Sequence, residues 1–145
     1  MSRSFIIETN QDKNLKVKDF MDNLKNLIIF NTTDLKIVHN RNNIYPDSFD
    51  EISLNTGLTV FMIDDSYIYI TYHGNNIENN KFWWYIQSRA LEGRGRSLFV
   101  ASACIIANLT GGLANSADGA WYNPDKFYYG SELWNEYLNI ELNYH

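Results

Sequence analysis

Apolar and polar positions alternate most clearly in the middle of the chain. Residues 58–63 and 67–73 each read as a strand. On the second, Ile68, Ile70 and Tyr72 share one face, and Tyr67, Tyr69, Thr71 and His73 share the other. Asp64-Asp65-Ser66 between them predicts a tight hairpin. Residues 81–88 give a third strand. Its run Phe82-Trp83-Trp84-Tyr85-Ile86 is apolar on both faces, the pattern of a strand covered on both sides. The short connections predict an antiparallel three-stranded meander.

Elsewhere the period changes. Residues 4–9 read as a first strand. Over residues 17–29, Val17, Phe20, Met21, Leu24, Leu27 and Ile28 recur at helical spacing, with Lys18, Asp19, Asp22 and Lys25 on the opposite face. Residues 31–34 predict a turn and 35–39 a short strand. Residues 40–56 are polar and broken by Pro46, with one helical turn expected around 49–54. Residues 98–109 form a helix that is apolar almost all round, hence central and buried, with Ser97 as its N-cap and Gly111 just past its end. Residues 113–121 predict strand, turn, strand. A last helix over 131–138 packs through Leu133, Trp134, Tyr137 and Leu138. The expectation is one α+β domain over residues 1–145, an antiparallel meander sheet with helices packed against it. No internal repeat or linker divides it.

Composition agrees with a packed core. The chain has 145 residues, 45% of them hydrophobic and 15% aromatic, enough to fold without disulfide or metal staples. Cys104 is the single cysteine, so no intrachain disulfide forms, which fits a reducing compartment. The apolar start ends at Glu8, short of a signal-peptide core, and no window approaches the ~18 apolar residues of a membrane span. These features predict a cytoplasmic protein that does not enter membranes.

The net charge is −5, and it is uneven. Between Arg41 and Lys81 there is no Lys or Arg, but there are Asp47, Asp50, Glu51, Asp64, Asp65 and Glu78. Residues 118–145 carry Asp118, Asp125, Glu132, Glu136 and Glu141 against Lys126. Such fields repel nucleic acid and favour basic protein partners. They also serve solubility.

Few residues suggest chemistry. Gly93-Arg94-Gly95-Arg96-Ser97 lies between a strand and a helix. There it could hold an anion through free N–H groups, Arg94, Arg96 and Ser97. It lacks the third glycine of a dinucleotide fingerprint and the spacing of a P-loop, so a flexible basic connection is the simpler reading. Cys104 sits in the most apolar helix, where a thiol is structural. His39, His73 and His145 lack zinc spacing, so neither metal nor cofactor is expected. Asp64-Asp65 and Asp50-Glu51 are sequence neighbours, better suited to solvated turns than to facing acid/base pairs. No catalytic site is expected. Tyr67, Tyr69 and His73 form a strip on one strand face, and Tyr is a typical interface anchor.

The segment 103–121, Ala-Cys-Ile-Ile-Ala-Asn-Leu-Thr-Gly-Gly-Leu-Ala-Asn-Ser-Ala-Asp-Gly-Ala-Trp, resembles small bacterial immunity proteins of polymorphic toxins, including those of contact-dependent growth inhibition. In those a buried helix ends in Thr-Gly-Gly and a strand and an Asp-Gly-Ala-Trp-like turn follow. The resemblance implies a non-catalytic cytoplasmic inhibitor that binds one cognate toxin domain, often a basic nuclease. On that reading the toxin-binding residues are expected among Asp47, Asp50, Glu51, Asp64, Asp65, Tyr67, Tyr69 and Glu78. Asp64 and Asp65 come first, because a hairpin tip projects beyond its sheet. The alternative is a small enzyme or anion-binding domain using Gly93 to Ser97.

Overall fold

The computed structural model describes residues 3–28, 31–43, 51–76, 81–91, 93–116 and 126–143. Its strands are β1 (Arg3–Thr9), β2 (Lys36–His39), β3 (Asn42–Asn43), β4 (Leu58–Ile63), β5 (Ser66–Asn76), β6 (Lys81–Arg89) and β7 (Leu113–Ser116). They form one antiparallel sheet in the order β3-β2-β4-β5-β6-β1-β7. The predicted meander is β4-β5-β6 at its centre. Asp64 and Asp65 are the two turn residues between paired Ile63 and Ser66, both with positive φ (48° and 64°), as a two-residue turn matched to strand twist requires. A bulge between Tyr72 and Gly74 interrupts the pairing of β5 with β6.

Three helices lie on one face of this sheet: α1 (Val17–Leu27), α2 (Gly95–Thr110) and α3 (Gly130–Asn143). The strand residues turned to them are buried, among them Phe5, Ile7, Phe61, Ile68, Ile70, Trp84 and Ile86. Helix α1 seals its apolar stripe with Phe20 tilted on Phe61, ring centroids 4.8 Å apart. Helix α2 runs through the middle, with Phe99 on Phe5 at 4.9 Å and buried residues all round its circumference. Its last carbonyls are closed by Gly111 in the left-handed region (φ 66°) and by the Gly112 N–H donating to the Ala107 oxygen at 2.9 Å. Beyond β7 the chain returns as Tyr128, whose N–H and carbonyl both bond Ala114, so this edge of the sheet is partly capped.

Several expectations change. Helix α2 begins at Gly95, two residues before Ser97, and Ser97 is not its N-cap; the Ser97 hydroxyl donates to the Arg94 carbonyl inside the first turn. β6 is not covered by helices on both sides: Trp84 and Ile86 are buried, while Phe82, Trp83 and Tyr85 are only half-buried. Leu138 is 43% exposed rather than packed, because α3 holds its neighbours through Leu133 and Tyr137. Residues 32–34 are a short 3-10 helix, not a simple turn. The second strand expected in residues 113–121 lies outside the described residues, as do 49 and 50; the described part of the helical turn expected around 49–54 is not helical, and Ser53 instead bridges Lys16 ahead of α1.

Candidate functional site

Because side chains alternate along each strand, burying one face of the sheet places the alternate residues on the other. Among the described residues no helix covers that second face. The strand register orders it into rows. Lys36, Met62, Tyr67 and Arg89 are successive partners across β2, β4, β5 and β6. The next row is Val38, Val60, Tyr69, Gln87 and Ser4, followed by Leu58, Thr71, Tyr85 and Ile6. Tyr67 and Leu58 are each 39% exposed; Val38, Val60, Met62, Tyr69 and Tyr85 are half-buried. His73 meets the Tyr85 ring edge-on at 4.4 Å. The result is an apolar, tyrosine-bearing surface of the kind that anchors protein contacts.

Two ends of this face carry charge. At one corner Lys81 and Glu8 pair at 3.4 Å, beside a cleft of about 280 Å³ that also touches Leu113 and Phe127. At the other, the β4–β5 turn opens a cleft of about 250 Å³ lined by Asp34, Lys36, Met62, Ile63, Asp64, Asp65, Ser66 and Tyr67.

The turn is not the pair of free acids that its sequence suggests. Arg94 donates to Asp64 from its backbone N–H (3.0 Å), Nε (2.8 Å) and Nη2 (2.9 Å). Its Nη1 reaches Asp34 at 2.8 Å. The Arg94 hydrogen bonds hold the Asp64 carboxyl down at about 2, and the two carboxylates raise the Arg94 guanidinium in return. Asp65 is exposed and makes no such contact.

The same geometry occupies the glycine-arginine loop. The anion at the start of α2 is the Asp64 carboxylate, where helix termini favour negative charge. Arg96 pairs with Glu141 of α3 at 3.1 Å, and the Ser97 hydroxyl is engaged with Arg94. Of the other expected contact residues, Glu51 is exposed, with its carboxylate 3.8 Å from Lys16 ahead of α1. Asp47, Asp50 and Glu78 lie outside the described residues. Cys104 is buried in α2, and burial pushes its thiol well above the usual range. Among the described residues no group of three His, Cys, Asp or Glu side chains is placed to hold a metal, and no helix is long and apolar enough to cross a membrane.

Sequence reasoning found Tyr67 and Tyr69 but missed Lys36, Met62 and Arg89, their neighbours on the same face. Nothing local marks those three; only the strand register joins them. No family model, no curated protein and no solved structure matches this chain.

Proposed function

We propose that this chain is an immunity protein that binds a cognate toxin domain and holds it inactive. The observation that supports it most is the tyrosine-bearing sheet face that no helix covers among the described residues, where Leu58 and Tyr67 are exposed beside half-buried apolar side chains, since apolar surface left open on a well-packed domain commonly serves binding. The likeness of residues 103–121 to immunity proteins points the same way. Within it, the Thr110-Gly111-Gly112 helix stop and the following strand β7 have the form that the likeness implies. The negative net charge suits a basic toxin.

The test is co-expression with the C-terminal domain of the protein encoded next to it. Immunity requires that cells making the toxin domain die without this chain and survive with it, and that the two purified proteins form a complex. Survival without any complex would assign the protection to something other than binding.

A further inference from the structure

We infer that the row Lys36–Met62–Tyr67–Arg89 is the docking strip for a protein surface that presents an apolar knob between two carboxylates. The inference rests on the immunity reading and names where, and by what chemistry, the toxin domain is held. Tyr67 and Met62 form the apolar centre, with Val60 and Tyr69 in the next row. Lys36 and Arg89 stand at the two ends. Both are exposed, and neither makes an ion pair or a side-chain hydrogen bond among the described residues. Three strand spacings separate their backbones, about 14 Å, the width of one knob with a flanking side chain on either side.

The remaining charges sharpen the choice of partner. On this face Glu8 and Lys81 satisfy one another, and at the turn Arg94 holds Asp34 and Asp64. Among the described residues, what stays uncommitted beside Tyr67 is two cations and Asp65. A complementary protein surface therefore places carboxylates against Lys36 and Arg89, although the chain as a whole is acidic. A single-stranded nucleic acid would also use tyrosine faces. It needs a continuous line of cations for its phosphates, whereas this strip offers two, separated by the Met62 and Tyr67 side chains and bounded by three carboxylates at the turn.

The experiment measures binding of the neighbouring toxin domain to Lys36→Glu/Arg89→Glu. The comparison is Lys18→Glu/Lys25→Glu, which makes the same change of net charge on the exposed side of α1. The strip variant should lose on the order of 100-fold in affinity, mostly through faster dissociation. The α1 variant should stay within about 3-fold, since distant charges act mainly on encounter. Tyr67→Ala should weaken binding and Tyr67→Phe should restore most of it. Thermal melts confirm that each variant is folded. Equal affinity for the strip and α1 variants, with wild-type complex intact, overturns the strip and leaves the immunity reading standing. A wild-type protein that binds no toxin domain overturns both. Binding of a uridine oligonucleotide that is abolished by Lys36→Glu/Arg89→Glu overturns the protein partner in favour of RNA.

Discussion

His39 hydrogen-bonds through its ring in a way that fixes its protonation. Asn40 accepts the Leu58 N–H on Oδ1 at 3.1 Å, so its amide nitrogen is the atom facing His39 Nε2 at 3.2 Å. Nε2 is then an acceptor, and Nδ1 carries the proton toward Thr59 Oγ1 at 2.8 Å. Burial lowers the pKa of this ring below 6.5, so the folded state prefers the neutral form. The unfolded chain takes up the proton first as pH falls, and stability is lost downward from about pH 6.5. Chemical denaturation at stepped pH should show that slope in the wild type and a flatter one in His39→Gln; identical slopes would remove His39 as its source. Burial acts on Cys104 by the same principle but moves it upward, keeping it a neutral thiol. A thiol reagent should label it only as the protein unfolds, and Cys104→Ala should cost about 1 kcal/mol, a small core truncation. Rapid labelling of folded protein would contradict the burial.

At the scale of elements, α2 and α3 meet through a glycine. A Cβ on Gly130 would stand 2.5 Å from the Cys104 carbonyl and 2.3 Å from Asn108 Oδ1, so the start of α3 lies directly on the α2 backbone. Gly130→Ala should force the helices apart and cost about 1–3 kcal/mol, the range of an overpacked contact. A urea melt superimposable on wild type would mean that the approach relaxes freely. Nothing in the sequence marks Gly130 for this role, because its neighbour lies 26 positions away in Cys104. The elements themselves were legible wherever apolar spacing had one dominant period. That holds for Phe20 and Leu24 in α1, and for Ile68 against Tyr67 in β5. It failed in β6, where Trp83 and Trp84 are equally apolar and only the helices decide which is covered. It failed again at the start of α2. A side-chain cap was expected at Ser97, but the Asp64 carboxylate reaches Arg94 from another element and the helix starts earlier. The candidate face was half legible for the same reason. The alternation within β5 yields Tyr67 and Tyr69, but Lys36 and Arg89 join them only through pairings between residues far apart in sequence.

At the scale of the whole molecule, charge separates from fold. All twelve Lys and Arg lie among the described residues, but only eleven of the seventeen Asp and Glu do. The described scaffold is thus close to neutral. The acidic excess belongs to Asp47, Asp50, Glu78, Glu92, Asp118 and Asp125, in segments with no Lys or Arg at all. Asp64, which by sequence looks like part of that excess, is matched internally by Arg94. On the proposed function, long-range attraction and local fit use different residues. The first depends on the summed field and is screened by salt; the second depends on the strip around Tyr67. Asp47→Asn/Asp50→Asn/Glu78→Gln moves the net charge from −5 to −2 and leaves the strip untouched. Stopped-flow association with a basic toxin domain should slow by about 10-fold at low ionic strength, and the difference should vanish at high salt. Dissociation should hardly change. Asp64→Asn should do the reverse: association near the wild-type rate and a lower melting temperature, because Arg94 loses the carboxylate that ties the β4–β5 turn to the start of α2. If the triple variant associates at the wild-type rate in low salt, steering does not come from these acids. If Asp64→Asn instead slows association without lowering the melting temperature, the turn contributes charge to the partner despite its internal pairing.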